Sequence, residues 1–298
     1  MAADTVAGLT SIIIVAADSG PLLGMAVASA LAQDAMVEVL VLDNASSDGE
    51  PERVAAAHAA DRRLRLVRNG SNLGFGAACN RGAELARGDA LLFQNPDCTL
   101  PPATVTALRR VLAGGEGIGL AGAAVCDPEG APARGNRRRE PSLRRVAMTM
   151  SGLARFEARW PALAGVEMPP GPGDVAVEDV DAVSGALMLV ARDAFDAVHG
   201  FDPGYFLHAE DLDLCRRLRD AGWRVVLAGE VRVSHAQGTS SHHRPVFVAW
   251  HKHRSLWRYF TRFDAAAGSV LLRALVGAGL WLHFAVQLPG LWLRRLRR

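Results

Sequence analysis

The sequence lacks several features that would point to a particular class of protein. Its 298 residues contain only four cysteines, none of them in a Cys-x-x-Cys pair, and its net charge is only +2. The cysteine spacing argues against a zinc site, and a chain of this length needs no disulfide framework, so we expect reduced thiols in a cytosolic compartment. The small net charge argues against a general polyanion-binding protein.

The beginning of the chain also lacks the signs of a secretory leader. It carries an acid, Asp4, and no basic residue before the first apolar run. We interpret that run as the first buried strand of the fold. No internal repeat is visible, so the sequence does not predict a solenoid or a propeller.

What is present is a globular composition with alternating strand and helix patterns. Half of the residues are apolar. Short apolar runs predict buried strands over Ser11–Ala17, Val37–Leu42 and Ala90–Phe93, with helices between them over Pro21–Gln33 and Phe75–Ala86. This rhythm predicts an α/β fold with a mostly parallel sheet covered by helices on both faces.

Two aspartates lie at the ends of predicted strands: Asp43 follows the second strand directly, and Asp97 closes the segment Gln94–Asp97 that follows the strand over Ala90–Phe93. Ligands of open α/β sheets bind beyond the carboxyl ends of the strands. Both residues are therefore site candidates on position alone.

The middle of the chain interrupts this pattern and the later part returns to it. The basic stretch Ala131–Val146 is interpreted as a mobile loop, and the stretch Pro169–Asp174 as a second break. A strand is predicted over Asp181–Val190 and a helix over Glu210–Gly222. Further on, Val231, Val233 and His235 alternate, which predicts that His235 points to the same side as the two valines.

The C-terminal part differs from the rest in charge and in hydrophobicity. From Arg244 onward there are ten basic residues against one acid, Asp264, which makes this part +9 and the preceding part −7. Ala274 to Leu293 carries no formal charge and is long enough to span a bilayer. Because Pro289 and two glycines interrupt it, an interfacial helix with basic anchors fits as well, and a helix packed on the domain is the third alternative.

Four segments resemble the family 2 glycosyltransferases, and they occur in that family's order. They are VLDNASSDG (41–49), NLGFGAACNRG (72–82), LLFQNPDCTL (91–100) and the long segment SGALMLV…DAGWRVV (184–226). The similarity covers about residues 9–260, and the rhamnosyltransferase-like branch is the most similar. It implies a Rossmann-like GT-A fold, a nucleotide-sugar donor and, in most members, inversion at the anomeric carbon.

One segment departs from the family. Its first strand usually ends in a polar pair such as Tyr-Asn, whereas this chain has Ala16-Ala17-Asp18-Ser19. The contacts that the family makes to the nucleotide base at this point are therefore in doubt, with Asp18 as a substitute.

The resemblance implies that Asp43 binds the nucleotide, with Asn44, Asn72, Gly74 and Asn80 as further contacts. A carboxylate at a strand end can accept hydrogen bonds from a base or ribose, and glycine lets a backbone approach a ligand closely. The alternative for Asp43 is an ordinary Asx-turn, which the Asp-Asn-x-Ser-Ser sequence also suits.

Asp97 and His235 are predicted to hold a divalent metal, either Mn²⁺ or Mg²⁺. A diphosphate leaving group calls for a hard cation with oxygen ligands, and a neutral imidazole suits manganese better than magnesium. Asn95 is expected to contact the ribose or a metal-bound water. The alternatives are a turn at Asn95-Pro96-Asp97 and a buried histidine satisfied by the backbone.

Glu210 and Asp211 are the candidate catalytic pair at the start of a helix. Adjacent carboxylates raise each other's proton affinity, which suits a general base acting on a sugar hydroxyl. The resemblance implies that Asp211 is the base and that Glu210 orients it or the acceptor. The alternative is a pair of acids favoured by the helix dipole. In the predicted mobile loop, Arg137–Arg139 either close over the diphosphate or form a solvated run of charges.

These observations predict an inverting glycosyltransferase that moves rhamnose or another hexose onto a saccharide or lipid-linked acceptor in cell-envelope polysaccharide synthesis. We expect a catalytic domain over 1–263, a membrane-associating tail over 264–298, and a cytoplasmic location at the inner face of the plasma membrane. No nucleic-acid partner is expected. The competing hypotheses are a sugar nucleotidyltransferase, which would need a glycine-rich basic loop after the first strand, and an inactive binding module.

Overall fold

The structure of the protein is a computed structural model that describes residues 5–133, 135–168, 176–236 and 244–296, the last four without their side chains. The predicted break at Pro169–Asp174 lies outside the described residues.

The described residues form eleven strands and nine α-helices. The strands are β1 (Val6–Ala16), β2 (Val37–Asp43), β3 (Leu64–Arg68), β4 (Gly88–Gln94), β5 (Cys98–Thr99), β6 (Ile118–Cys126), β7 (Arg137–Arg138), β8 (Glu178–Asp179), β9 (Ala182–Val183), β10 (Leu187–Ala191) and β11 (Arg224–His235). The α-helices are α1 (Leu22–Leu31), α2 (Glu50–Ala57), α3 (Phe75–Leu85), α4 (Thr104–Ala113), α5 (Leu143–Met150), α6 (Arg192–Ala197), α7 (Glu210–Asp220), α8 (Pro245–Phe263) and α9 (Val270–Leu296). Short 3₁₀ helices cover Leu153–Phe156, Pro161–Leu163 and Ala265–Gly268.

One large sheet organises the fold, in the order β3-β2-β1-β4-β10-β6-β11-β5, with β8 also paired to β11. Strands β1 to β4 are parallel to one another, and β6 is parallel to β11. Strand β10 runs antiparallel between β4 and β6, so its first residues lie where the other strands end. This confirms the predicted α/β architecture with a mostly parallel sheet.

The apolar runs form strands because both faces of the sheet are buried. Ile12 and Ile14 of β1 pack with α1 and α4 on one face, whereas Ile13 and Val15 pack with α3, α6 and α7 on the other. A strand buried on both sides has no room for a polar alternation, which explains its continuous apolar sequence.

The strand predicted over Asp181–Val190 is interrupted. Residues 182–183 form β9, which pairs with β7, and residues 187–191 form β10 in the main sheet. The three residues between them, Ser184 to Ala186, carry the chain from one sheet to the other at the edge where β1, β2 and β4 end.

The prediction of a mobile loop over Ala131–Val146 was wrong, because this stretch contains a strand and the start of a helix. Arg137 and Arg138 form β7, and α5 begins at Leu143 with the Ser142 hydroxyl accepting a hydrogen bond from the Arg145 amide. Charge density suggested a loop, but pairing with β9 provides backbone partners that the local sequence does not reveal.

The C-terminal helices pack as a pair. Trp250 of α8 lies 4.9 Å from Trp281 of α9 between ring centroids, and Trp257 of α8 lies against Gly277. Helix α9 continues through Pro289. Its stretch Val270–Trp292 is long and apolar enough to cross a membrane, and none of its most apolar window is buried. Length and composition alone carry that statement.

Candidate active site

The site candidates lie at the carboxyl edge of the sheet. Asp43 is the last residue of β2, Asn95 to Asp97 follow β4, and His235 is the last residue of β11. The Asn95 amide donates to the Ala186 carbonyl at 3.0 Å, which places the start of β10 beside them. Residues from four separate parts of the chain therefore meet at one edge.

Asp97 and His235 are in direct contact. His235 Nε2 lies 2.9 Å from Asp97 Oδ1 and 3.3 Å from Asn95 Nδ2. Strand β5 pairs antiparallel with the end of β11, and the Ala236 amide donates to the Asp97 carbonyl at 3.0 Å. The backbone thus holds the two side chains in register. Asp97 is buried, and His235 is nearly so.

This pair is chemically suited to a divalent cation. A carboxylate and an imidazole are ligands that Mn²⁺ accepts. His235 Nδ1 is buried with no hydrogen-bond partner in the part of the chain that the structure describes, so the described backbone does not satisfy the ring as an ordinary structural histidine requires. No cluster of three or more metal-ligating side chains occurs within the described ranges, so any cation here needs further ligands from water or a diphosphate.

Asp211 is held between a glycine and an arginine. Its Oδ2 accepts from the Gly185 amide at 3.1 Å and pairs with the Arg138 guanidinium, while Oδ1 accepts from the Leu212 amide at 2.8 Å. Burial alone would lower the pKa of Arg138, but the charge of Asp211 and its hydrogen bond, together with the nearby Cys215 and Glu210, outweigh burial and raise that pKa. Gly185, which donates to Asp211, is followed by Ala186, whose carbonyl accepts from the Asn95 amide. The Asp211 carboxylate is therefore held close to the segment that contains Asn95 and Asp97.

Glu210 has a different environment from its neighbour. It lies against α3, where a Cβ added to Gly76 would come within 3.7 Å of the Glu210 Cβ. Its Oε2 is buried and has no partner among the residues that the structure describes. Burial, and secondarily the charge of Asp211, raises the pKa of Glu210 well above its usual 4.5. The two adjacent acids therefore have distinct surroundings, with Asp211 at the strand edge and Glu210 against α3.

A strained turn presents this pair, and the sequence analysis did not find it. His208 and Ala209 have φ values of 67° and 65°, in the left-handed region that residues other than glycine rarely adopt. Such conformations persist where the surroundings over-determine them and concentrate at functional sites. Nothing in the local sequence indicates a left-handed alanine.

Comparison with known proteins identifies the family. The family model described as glycosyl transferase family 2 matches residues 11–157. The N-acetylglucosaminyl-diphospho-decaprenol L-rhamnosyltransferase of Mycobacterium tuberculosis is 32% identical over 289 residues, which cover 88% of this chain and 91% of that protein.

The chain belongs to glycosyl transferase family 2.

Other relatives agree with this assignment. The rhamnosyltransferase WbbL of Escherichia coli is 40% identical over 87 residues, which cover 28% of this chain and 31% of that one. Among solved structures, the mannosyltransferase PcManGT of Pyrobaculum calidifontis, in complex with GDP-Man and Mn²⁺, has a TM-score of 0.59 at 18% identity and covers 99% of this chain and 76% of its own. GalNAc-T7 with UDP, GalNAc and Mn²⁺ has the same TM-score at 16% identity, covering 76% of this chain and 43% of its own. These structures share the GT-A fold.

The family assignment confirms the predicted resemblance and the prediction of an enzyme. This chain is a glycosyltransferase with the GT-A fold, so the hypotheses of a sugar nucleotidyltransferase and of an inactive binding module are set aside. The roles of individual residues are a separate question, because family membership does not assign them.

Asp43 makes the Asx-turn that its sequence allows. Its Oδ1 accepts from the Ser46 amide at 2.9 Å, and the residue is buried. Asp18 is also engaged locally, because its Oδ1 accepts from the amide of Ser47 at 2.6 Å and from its hydroxyl at 3.0 Å. These bonds join the turns after β1 and β2 into one rigid corner of the glycosyltransferase. A nucleotide role for Asp43 stays a prediction.

The glycine-rich turn contacts protein where a ligand was expected. A Cβ on Gly74 would lie 2.5 Å from the Phe206 carbonyl oxygen, and the Phe75 amide donates to that oxygen at 3.0 Å. The φ of 84° at Gly74 also requires glycine. Asn44 Nδ2 donates to the Gly74 carbonyl at 3.2 Å, and the Asn72 side chain accepts from the Gly74 amide at 2.9 Å. The backbone of Phe206 therefore occupies the side of Gly74 where a side chain would lie, and nucleotide contacts at Asn44, Asn72 and Gly74 stay predictions.

Asn80 was also predicted to touch the nucleotide, and the structure uses it elsewhere. Its Nδ2 donates to the Phe201 carbonyl and its Oδ1 accepts from the Phe201 amide, both at 2.8 Å. With both ends of its amide engaged, Asn80 holds α3 to the loop that precedes the strained turn. A nucleotide contact at Asn80 stays a prediction.

The three arginines of residues 137–139 do not form a solvated run. Arg137 pairs with Glu178, Arg138 with Asp211, and Arg139 Nη1 with Glu157 Oε2 at 3.0 Å. Because β7 alternates its side chains, Arg138 faces the candidate base while its neighbours point elsewhere. Arg138 is thus a site residue that the sequence analysis placed only among phosphate contacts or surface charges.

Proposed function

We propose that this glycosyltransferase moves rhamnose or a similar hexose from a nucleoside-diphosphate sugar to a hydroxyl of a lipid-linked saccharide. Identity of 32% across 88% of the chain to an enzyme named for a lipid-diphosphate-linked N-acetylglucosamine acceptor carries the proposal. The contact between Asp97 and His235, and the placement of Asp211 beside them, supply groups suited to that reaction.

Asp97 and His235 would hold a divalent cation, and that cation would neutralise the charge on the departing diphosphate. Asp43 and Asn95 flank this position and would bind the nucleoside. Asn95 Nδ2 already lies 3.3 Å from the His235 ring, so it can orient the imidazole as well as meet a ligand.

Asp211 would act as the general base. The acceptor hydroxyl gives its proton to the Asp211 carboxylate and its oxygen bonds to the anomeric carbon, while the bond from that carbon to the diphosphate oxygen breaks. Attack from the side opposite the leaving group inverts the anomeric configuration. General bases of this kind typically contribute about 10²–10⁴ in rate.

Arg138 forms an ion pair with Asp211 and so occupies one of the carboxylate oxygens. The acceptor hydroxyl needs access to that carboxylate, so the Arg138 contact must loosen during turnover. Glu210, with its raised pKa, is suited to a neutral role that positions the turn and not to proton abstraction.

The catalytic unit would span residues 1–263, and residues 264–298 would attach it to the cytoplasmic face of the plasma membrane. The exposed apolar face of α9 and the surrounding basic residues support this placement. Such a location suits an acceptor that is carried on a lipid in cell-envelope polysaccharide assembly.

The test is a transfer assay with radiolabelled nucleotide-sugars, including rhamnose, mannose and N-acetylglucosamine donors. Each is offered with Mn²⁺ to a polyprenyl-diphosphate-linked N-acetylglucosamine and, as a control, to the same polyprenyl phosphate without a sugar. We expect label on the sugar-bearing lipid from one donor only. Transfer to the sugar-free lipid would contradict the proposed acceptor, and no transfer from any donor would contradict the proposed function.

A further inference from the structure

A second exposed apolar surface lies in an earlier part of the chain than α9. We call residues 143–163 the α5 segment, which comprises α5 and two 3₁₀ helices. None of the residues in these three helices is buried. Met150 is 67% exposed, Trp160 52%, and Leu153 and Phe156 39% each. Large apolar side chains gathered in this way on a soluble protein mark an interaction surface.

Arginines accompany the aromatic residues of the α5 segment. The Arg155 guanidinium lies 4.7 Å from the centre of the Phe156 ring, and that of Arg159 lies 5.5 Å from the Trp160 ring. Neither arginine makes an ion pair with any residue that the structure describes. The single acid of the segment, Glu157, is turned inward to Arg139. The outward surface is therefore apolar and positively charged.

This combination fits the interface of an anionic bilayer. Tryptophan, phenylalanine and leucine partition into the headgroup region while arginine reaches the lipid phosphates, and negatively charged lipids add attraction for each arginine. A protein partner would need an acidic counter-surface of defined shape. A cavity of about 1010 Å³ does open beside Arg155, but Met150, Phe156 and Trp160 do not line it, so the exposed apolar side chains face away from that concave surface.

The α5 segment also adjoins the C-terminal helices. The Leu143 amide donates to Asp264 Oδ2 at 2.6 Å, and Asp264 begins the turn that leads to α9. At that end of α9, Val270 is 85% exposed and Leu271 68%. The two apolar surfaces are thus connected through one hydrogen bond.

We propose that the α5 segment is a second membrane-contact surface, which binds anionic lipid headgroups through Arg155 and Arg159 and inserts Met150, Phe156 and Trp160 among them. The inference rests on the proposed membrane location of this glycosyltransferase. The segment follows β7, whose Arg138 contacts Asp211, so a lipid contact here is linked directly to the side of the site where the acceptor is deprotonated.

The chain offers a clean probe for this contact. All four of its cysteines are buried, so a cysteine introduced at the surface can be labelled selectively. A bimane label is attached to the full chain at Met150→Cys or, as a matched control, at Met25→Cys on α1, where the methionine is 57% exposed. Fluorescence is measured with vesicles of phosphatidylcholine and phosphatidylglycerol that contain doxyl-labelled lipid.

We expect doxyl lipid to quench the label at Met150→Cys and to leave the one at Met25→Cys unchanged. Arg155→Gln and Arg159→Gln, which leave the apolar residues in place, should each weaken partitioning onto the anionic vesicles about five-fold. Neither should alter binding to pure phosphatidylcholine.

Two outcomes overturn the inference. If the protein binds vesicles and neither label is quenched, α9 alone makes the contact. If the Met150→Cys label changes with protein concentration in the absence of lipid, the surface serves self-association. Sugar transfer to a detergent-solubilised acceptor is measured on the same proteins, and its presence in either case leaves the proposed function intact while the second membrane contact fails.

Discussion

Buried polar groups at the two edges of the central sheet differ in whether the protein itself supplies their hydrogen-bond partners. Towards the amino ends of the strands, Glu38 Oε1 accepts from the Ser11 hydroxyl and the Arg87 amide, both at 2.6 Å, and Oε2 accepts from Arg87 Nε at 2.9 Å. At the carboxyl edge, His235 Nδ1 is buried with no partner among the described residues, and the same holds for Oε2 of Glu210, which precedes Asp211 and packs against α3. Glu38 is satisfied by groups of the protein itself, whereas Glu210 Oε2 and His235 Nδ1 are not, within the described ranges.

This difference indicates that buried polar groups near one edge contribute to stability, whereas those near the other contribute to ligand binding or catalysis. Buried polar groups without partners cost stability, so native proteins keep few of them. Their concentration at the edge where Asp97 and Asp211 lie indicates groups that await a ligand. Glu38, by contrast, joins β1, β2 and the start of β4 with bonds that need nothing from outside the protein.

The largest expected effect is on catalysis at the carboxyl edge. Asp211→Asn keeps an oxygen for the Gly185 amide but removes the base, so we expect kcat to fall by about 10²–10⁴ with nucleotide binding unchanged. Kinetics and calorimetry on the same preparation measure the two. If the variant keeps most of its activity, the base lies elsewhere and Glu210 is the next residue to test.

The next effect concerns the pair of Asp97 and His235. Asp97→Ala removes the only carboxylate of the pair, so Mn²⁺-dependent binding of a nucleoside diphosphate should weaken about 100-fold or more. Titration of UDP, dTDP and GDP with and without Mn²⁺ shows which nucleotide is bound. Asp61→Ala, at an exposed acid paired with Arg63, is the control and should bind like the wild type. Equal binding by both variants would exclude Asp97 as a ligand.

At the amino edge the effect should be on stability alone. Glu38→Ala leaves the Ser11 hydroxyl and the Arg87 amide without their acceptor, which should lower the free energy of unfolding by about 2 kcal/mol. Arg87 is half exposed, so water limits the loss. Urea denaturation measures it. A fall in kcat of the folded enzyme would contradict the separation of the two edges.

The smallest expected effect is an opposite response of the two edges to pH. Although burial opposes it, bonds from Ser11 and Arg87 lower the pKa of Glu38, so its contribution to stability is complete above its usual 4.5 and is lost as pH falls through the lowered value. Burial, and secondarily Asp211, raises the pKa of Glu210, so its neutral form stabilises the fold below 4.5 and that contribution is lost as pH rises.

Glu38→Gln and Glu210→Gln measure this contrast. Relative to the wild type, Glu210→Gln should gain about 1 kcal/mol in unfolding free energy between pH 5 and pH 7, whereas Glu38→Gln should show its deficit above pH 5 and lose it in more acidic solution. Parallel pH curves for the two variants would show that their environments do not differ as the structure indicates.

Much of the fold could be predicted because its signals are local. The apolar runs of β1, β2 and β4 and the helical stretch of α3 lie where sequence patterns placed them. The interruption at Ser184 to Ala186 was missed, because residues on both sides of it are apolar enough for one strand.

In the candidate site too, some features could be predicted from local sequence and others could not. Asp97 and His235 lie 138 residues apart, yet a family motif and a strand-end position brought both into view, and the structure places them in contact. The contacts of Asn80 and Gly74 with Phe201 and Phe206 could not be predicted, because these partners come from a loop more than a hundred residues away. Arg138 was underestimated because its partner Asp211 is 73 residues distant.

The sequence by itself determined the alternation of strands and helices, the family, and the acids at strand ends, because periodicity and motifs reside in short stretches of chain. Only the tertiary structure decided that Asp211 lies at the strand edge while Glu210 packs against α3, and that Arg138 reaches the base. Those choices depend on which side chains and backbone groups converge from distant segments, and burial and charge act across space irrespective of position in the chain.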